Sequence, residues 1–204
     1  MSIHIGAARP LFHLRTQNTS YVMAVHDGYL CHLHWGGRLP EREADQEDML
    51  RIVGRSSFSA TPDPTKPLTT DGIPLEYPVY GTGDMRIPAL QARFSDGSSA
   101  MELLYQGYRL LTGKPGLEGL PAVYVKPEDG VQTLEIDLVE PVKKLTVTLR
   151  YSVFPEMDAI VRSVTVRNDS DTPVQLTGVS SAALDFPDGV FEGICLPGSW
   201  ARER

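Results

Sequence analysis

Residues 145–153 are Leu-Thr-Val-Thr-Leu-Arg-Tyr-Ser-Val, a stretch in which apolar and polar side chains alternate. Because successive side chains of a strand point to opposite faces, this pattern predicts a β-strand with one face toward a core and the other toward water. Residues 134–138, Leu-Glu-Ile-Asp-Leu, alternate in the same way. Pro141 and the pair Lys143-Lys144 separate the two runs, so we expect two neighbouring antiparallel strands.

Further strands follow on both sides of this pair. A run rich in Val and Ile, residues 159–167, ends at Asn-Asp-Ser-Asp, whose side chains favour turns. Residues 174–179 then resume the strand pattern. Asp27-Gly28 lies between two apolar runs, and Asp96-Gly97 lies between residues 90–94 and 100–105. An Asp-Gly pair in this position favours a tight hairpin turn, so we expect a hairpin at each.

Residues 54–88 differ from the rest because prolines interrupt them. These are Pro62, Pro64, Pro67, Pro74, Pro78 and Pro88. Proline removes a backbone donor, so this segment is expected to form neither a long central strand nor a helix. Tyr77 and Tyr80 favour a packed loop. Residues 41–51 alone are mildly helical in pattern. The sequence therefore predicts an all-β fold, a large antiparallel β-sandwich (supersandwich) with two sheets, as a single domain over residues 1–204.

Composition excludes several classes of protein. The chain has 204 residues, is 41% apolar and 22% charged, and carries a formal net charge of −7. That charge disfavours a general nucleic-acid-binding surface, and no apolar run is long enough for a membrane span. The N-terminus lacks the pattern of a secretory signal. Cys31 and Cys195 form no metal-binding or disulfide pattern, so we expect reduced thiols in a cytoplasmic protein.

Two patterns contain groups suited to chemistry. His32 and His34 could supply two metal ligands, with a third from His13, His26 or an acid. Two ligands specify little, so ordinary histidines are the favoured interpretation, and we expect no metal and no cofactor. The acidic residues between positions 41 and 48 could include acid/base carboxylates, but neighbouring acids more often form a solvated face.

Trp200 stands in the C-terminal stretch Leu-Pro-Gly-Ser-Trp-Ala-Arg-Glu-Arg, residues 196–204. A tryptophan presented by a Pro-Gly-Ser loop can serve as a platform for a ligand or another domain. It can equally close the edge of the sandwich. The residues alone leave both interpretations open.

Eleven short blocks, in order along nearly the whole chain, resemble the N-terminal part of bacterial α-galactosidases of glycoside hydrolase family 36. They are Phe12-His13-Leu14-Arg15, Ser20-Tyr21-Val22-Met23, Gly28-Tyr29-Leu30, His32-Leu33-His34-Trp35-Gly36, Phe58-Ser59, Glu76-Tyr77-Pro78-Val79-Tyr80-Gly81, Gly113-Lys114-Pro115, Gly119-Leu120-Pro121-Ala122, Thr133-Leu134-Glu135-Ile136, Asp185-Phe186-Pro187 and residues 196–204. Each block is weak alone, and together they are specific.

The resemblance implies the β-sandwich that precedes a (β/α)₈ catalytic barrel. That barrel would lie beyond residue 204 and would hold both catalytic aspartates, so no catalytic residue is assigned in this chain. The implied enzyme hydrolyses terminal α-galactosyl groups of melibiose- or raffinose-type sugars with retention. Its N-terminal domain would wall the active site and help to build a homo-oligomer, with a tetramer common in the family.

Two positions of this chain correspond to sugar-binding features of the family. Trp200 matches a tryptophan that borders the galactose subsite. The family also has a sugar-binding aspartate in an Arg-x-Asp-Arg-x-Phe-Ser pattern. The matching segment here has no carboxylate near Val53–Arg55, so we expect that contact to be lost or replaced. The alternative function is a free-standing, non-catalytic carbohydrate-binding or structural sandwich.

Overall fold

The computed structural model describes residues 2–7, 9–40, 49–53, 65, 68–119, 122–186, 189–195, 198 and 200–201. Those residues form ten β-strands, three short 3₁₀ turns and no α-helix. The strands are β1 (Ile3–Ile5), β2 (Leu11–Arg15), β3 (Thr19–His26), β4 (Tyr29–Gly37), β5 (Leu90–Arg93), β6 (Leu104–Thr112), β7 (Gln132–Glu140), β8 (Leu145–Phe154), β9 (Ala159–Asn168) and β10 (Gln175–Val179). The turns are Thr70–Gly72, Pro127–Asp129 and Pro155–Met157.

The strands form three antiparallel sheets. The first sheet has the order β1-β2-β3-β4, and the second has the order β6-β7-β8-β9. A small third sheet pairs β10 with β5. The all-β prediction is confirmed, as is the antiparallel pairing of β7 with β8, where Ile136 lies opposite Leu149. The two-stranded sheet was not predicted.

The main core lies between the two four-stranded sheets. Phe12 and Met23 of the first sheet join one buried cluster with Leu134 and Leu149 of the second. The ring of Phe12 meets Tyr108 edge-on, with ring centroids 5.4 Å apart. Burial of these apolar faces supplies the main driving force for closing one sheet over the other.

β8 is buried on both faces, so the prediction that its second face lies in water is wrong. The apolar face enters the core as expected, but Thr146, Thr148 and Ser152 are also buried. The outer face is covered by long polar side chains from neighbouring strands. For example, Arg167 of β9 donates a hydrogen bond to Thr146 at 3.4 Å. Side chains of this length shield a strand while their charged ends stay near water.

The two Asp-Gly pairs have different outcomes. Asp27 and Gly28 both have positive φ, 49° and 88°, and join β3 to β4 as a hairpin, as predicted. Gly97 also has positive φ, 83°, and its N–H donates to the carbonyl of Phe94. The predicted hairpin is nevertheless wrong, because β5 pairs with the distant β10 and β6 pairs with β7. The turn signal is local, whereas strand pairing depends on the rest of the sandwich.

The proline-rich segment, where the structure describes it, is a packed loop. Over residues 68–88 it has one 3₁₀ turn and two isolated bridges, and no long strand or helix. Leu75 bridges Cys31, and the N–H of Glu76 donates to the carbonyl of Leu30, so the loop covers the edge of β4. Tyr77 is buried as expected, while Tyr80 is exposed. The mildly helical segment falls mostly on residues 41–48, outside the described residues.

Cys31 is buried and Cys195 is exposed, and both are free thiols. Burial raises the pKa of the Cys31 thiol to about 12.

Among the residues described, no helix has the length and apolar character that a membrane crossing requires.

Candidate functional site

Glu76 lies in the core between the two large sheets, with none of its surface exposed. The covering loop brings it there, since the backbone of residues 74–76 runs beside β4 and is hydrogen-bonded to it. A carboxylate is rarely buried unless charged and hydrogen-bonding partners surround it. The partners of Glu76 therefore decide what this position does.

Four side chains from both sheets converge on Glu76, and together we call these five residues the Glu76 cluster. Tyr21 donates to Oε1 at 2.7 Å and Tyr151 donates to the same oxygen at 2.8 Å. Arg162 Nη2 lies 2.8 Å from Oε1. His32 Nδ1 lies 3.1 Å from Oε2, and because a carboxylate only accepts, this nitrogen carries the proton. Glu76 thereby links β3, β4, β8 and β9.

The electrostatics of the cluster favour a charged Glu76–Arg162 pair beside neutral tyrosines. Burial acts to raise the pKa of Glu76, but the hydrogen bond from His32 and the charge of Arg162 outweigh it and lower that pKa. Burial and the nearby carboxylate raise the pKa of Tyr21 and of Tyr151. Arg162 also lies 4.8 Å from the centroid of the Tyr151 ring, a cation–π contact. The partners satisfy the Glu76 carboxylate internally, and none of its surface is exposed.

The two histidines considered as metal ligands have separate partners. His32 contacts Glu76, and His34 Nε2 lies 3.1 Å from the carbonyl of Gly37. A bulge in β4 changes the register between them, because Met23 pairs with His32 and Val22 with His34. Within the described ranges, no group of three or more His, Cys, Asp or Glu side chains could hold a metal ion.

Three aromatic rings form an exposed surface beside the Glu76 cluster. Trp35 contacts Phe186, and Phe186 contacts Phe191, with ring centroids 5.6 Å apart in both pairs. All three side chains are exposed. Trp35 also lies 6.5 Å from the Tyr21 ring, which ties this surface to the core. We call Trp35, Phe186 and Phe191 the aromatic surface.

Arg86 joins two segments of the chain next to the aromatic surface. Arg86 Nη1 lies 2.7 Å from Asp185, the neighbour of Phe186, and Nη2 lies 2.6 Å from Asp84. Arg86 also donates to the carbonyl of Thr70 at 3.0 Å. A single guanidinium therefore joins the proline-rich loop to the segment that precedes Trp200.

Trp200, the predicted sugar contact, is 95% exposed. It does not close the edge of the sandwich in this structure, and its role at a subsite stays a prediction. Val53 is exposed, and its N–H donates to the carbonyl of Gly72 at 2.7 Å. Gly54 and Arg55, the rest of the segment that lacks the family aspartate, lie outside the described residues.

The fold agrees with a comparison to known families. Residues 28–204 match the model of the glycosyl hydrolase family 36 N-terminal domain. The chain belongs to that family. The resemblance drawn from the eleven sequence blocks is confirmed.

The relatives are α-galactosidases that extend well beyond this domain. The chain is 37% identical over 206 residues to alpha-galactosidase AgaA of Geobacillus stearothermophilus, covering 100% of this chain and 28% of the relative. It is 39% identical to alpha-galactosidase 1 of Pediococcus pentosaceus, covering 99% of this chain and 28% of the relative. The chain therefore spans under a third of the length of these enzymes.

Solved structures show the same fold. The GH36 alpha-galactosidase AgaB of G. stearothermophilus superimposes with a TM-score of 0.88 at 36% identity, over 100% of this chain and 28% of that one. A structure of AgaA in complex with raffinose gives a TM-score of 0.84 at 38% identity, over 95% and 27% of the two chains.

The Glu76 cluster was not predicted as a site from sequence. Its members lie far apart, since Glu76 is 55 positions after Tyr21 and Tyr151 is 75 positions after Glu76. One signal was present: Arg162 interrupts a run of apolar residues in β9, and a charge at an inward position needs a partner. The sequence could not say that this partner comes from a proline-rich loop.

Proposed function

We propose that this chain is the N-terminal β-sandwich of an enzyme that hydrolyses terminal α-galactosyl groups in melibiose- and raffinose-type sugars. The match of nearly the whole chain to α-galactosidases at 36–39% identity carries the proposal. One of those relatives was crystallised with raffinose and another structure of it with stachyose. Both ligands are galactosides of the class proposed here.

The sandwich contributes to the active site through Trp200 in this proposal. A flat aromatic ring suits the apolar C–H face of galactose and keeps water away from the bond being cleaved. Its exposure leaves the ring available to a sugar or to a neighbouring domain. The two carboxylates of a retaining mechanism, one nucleophile and one acid/base, would come from a catalytic barrel outside these 204 residues.

The aromatic surface is the proposed contact with that barrel. Three exposed rings in mutual contact form an apolar patch, and such patches on soluble proteins usually mark an interface. The ion pair of Arg86 with Asp185 holds the neighbouring residue Phe186, which keeps the patch in a fixed place. We further propose a cytoplasmic homo-oligomer, with a tetramer as its expected size.

An activity assay tests the proposal. The protein with its catalytic barrel should hydrolyse a nitrophenyl α-galactoside, and nuclear magnetic resonance should show the α-anomer of galactose as the first product. The 204-residue chain alone should be inactive, because it lacks the paired carboxylates. Turnover by this chain, abolished by a substitution within it, would contradict the proposal. So would a barrel-containing protein that cleaves no α-galactoside.

A further inference from the structure

A cleft of about 1010 Å³ opens at one end of the sandwich, and no residue of the aromatic surface lines it. It lies between the ends of the two large sheets. Arg15 at the end of β2 and the turn that follows it line one side, and Thr112 at the end of β6, Gln132 at the start of β7 and the turn after β8 line the other. The 3₁₀ turn Pro127–Asp129 borders it. Ser2 Oγ donates to Gln132 Oε1 at 2.9 Å, which ties the two sheets together at the wall of the cleft.

The cleft is basic although the chain is acidic. Its lining includes Arg15, Arg38, Lys114 and Lys126, against the single acidic residue Glu156. The chain as a whole has a formal net charge of −7. Cations gathered at a concave surface strengthen the local positive potential and attract anions.

Three of these cations have no carboxylate partner within the described part of the chain. Arg38 Nη1 donates only to the carbonyls of Thr16 and Gln17, at 3.3 and 3.2 Å, and Lys114 Nζ lies 3.5 Å from the carbonyl of Pro115. Lys126 forms no ion pair there either. By contrast, every arginine of β6, β8 and β9 is paired with a carboxylate: Arg109, Arg150, Arg162 and Arg167.

Nearby carboxylates already accept hydrogen bonds from neutral donors. Asp158, beside the cleft, accepts from Thr16 Oγ1 at 2.6 Å and from the N–H of Asn18 at 2.7 Å. Asp129 accepts from the N–H of Lys126 at 2.8 Å. Within the described residues, neither carboxylate lines the cleft or forms an ion pair with Arg38, Lys114 or Lys126, so these three cations keep their capacity for an outside anion.

We propose that this cleft binds a phosphate group, either as free inorganic phosphate or on a phosphorylated sugar. Arginine and lysine together provide the donors that phosphate oxygens accept. The volume is at the upper end of the range for small-molecule sites, larger than an anion alone needs. Thr112 and Gln132 also line the cleft, and a hydroxyl and a side-chain amide suit the hydroxyls of a sugar. The site is independent of the α-galactosidase proposal, since none of its residues belongs to the aromatic surface or to the Trp200 segment.

Isothermal titration calorimetry at constant ionic strength tests the proposal with three probes: inorganic phosphate, glucose 6-phosphate and glucose. One or both phosphates should bind and glucose should not. Stronger binding of glucose 6-phosphate assigns the site to a phosphorylated sugar, and equal binding assigns it to free phosphate. Failure of both phosphates to bind, or equal binding of glucose, would overturn the proposal.

A matched pair of lysine variants localises the binding. Lys114→Gln should weaken phosphate binding about tenfold or more, as expected for loss of one charge-assisted contact. Lys144→Gln removes the same charge from the turn between β7 and β8, at the far ends of those strands, and should leave affinity unchanged. Equal weakening in both variants would mean non-specific attraction and would refute the site. Lys114→Glu, with circular dichroism to verify folding, should abolish binding.

Discussion

Two groups of charged residues lie on opposite faces of the second sheet, and they differ mainly in access to water. On the inner face, Arg162 meets Glu76 within the core. On the outer face, Arg150 and Arg109 both contact Glu135, and Arg109 also contacts Asp137. On the inner face, the Arg162 side chain is 11% exposed and Glu76 is fully buried. On the outer face, the Arg150 side chain is 21% exposed and Arg109 is half-exposed.

The comparison shows that similar ion pairs have different consequences when their surroundings differ. The Glu135 side chain is only 9% exposed, but the half-exposed Arg109 brings water and salt to the outer-face pairs, so each should be worth less than a pair in the core. In the core, removing one partner leaves an uncompensated charge that water cannot reach. The inner cluster should therefore be the more sensitive to a single change, although the outer network contains more ion pairs.

The largest expected effect tests this contrast directly. Arg162→Met leaves the Glu76 carboxylate buried without its cation and should lower the free energy of unfolding by about 3–5 kcal/mol. Arg150→Met, on the neighbouring strand and opposite face, should lower it by about 1 kcal/mol or less, because Arg109 still contacts Glu135. Urea denaturation measures both. Equal losses in the two variants would break the comparison.

A smaller effect is expected when only one neutral donor is removed from the cluster. Tyr151→Phe keeps the ring but deletes the hydroxyl that donates to Glu76, and should cost about 1–3 kcal/mol. Tyr108→Phe is the matched control, because its ring meets Phe12 while the residue as a whole is exposed. We expect no measurable change for that control. If Tyr151→Phe were equally silent, the hydrogen bond to Glu76 would not contribute to stability.

The dependence of stability on pH and salt distinguishes the buried Glu76 cluster from the outer-face ion pairs. The folded protein lowers the pKa of Glu76 from its ordinary value of 4.5, so its contribution is present above about pH 4.5 and is lost as the pH falls. The pKa of Asp137 on the outer face is also lowered: burial acts to raise it, but Arg109 and Thr148 outweigh that. Salt weakens the exposed pairs more than the buried pair.

Thermal unfolding between pH 3 and 7 in high salt should therefore still show an acid-side loss of stability, and Glu76→Gln should make that loss shallower. The sign follows from the lowered pKa, since the unfolded chain binds the proton more tightly than the folded one. An identical pH profile for wild type and Glu76→Gln in high salt would mean that Glu76 is not the titrating group.

The sequence predicted the strands well because a period of two is a local property. β7, β8 and β9 were all expected, as was the hairpin between β3 and β4. Pairing over long distances was not predictable in the same way. The partner of β5 is β10, more than 80 residues later, and the Asp96-Gly97 turn indicated a different partner.

The candidate sites also differ in whether a local pattern or the tertiary fold reveals them. Trp200 became a candidate because it stands in a specific block of family residues, which needs no knowledge of the fold, and its role at a subsite stays a prediction. The burial of Glu76 depends on four strands and a loop meeting at one point, and no spacing in the chain encodes that meeting. The outer face of β8 shows the same limit, because alternation could not reveal that arginine side chains cover it.

Trp200 is nearly fully exposed, in contrast to the buried Glu76 cluster and the partly exposed outer-face pairs. Its substitution should therefore have the smallest effect on stability. Trp200→Ala should leave the free energy of unfolding of the 204-residue chain unchanged, because a side chain that is 95% exposed buries little apolar surface. In the barrel-containing enzyme, the same change should lower kcat/KM for an α-galactoside, because the ring would no longer pack on the sugar. Trp200→Phe should restore part of the activity, since it keeps an aromatic face. A large drop in melting temperature with unchanged kinetics would instead make Trp200 a structural residue and would remove it from the sugar subsite.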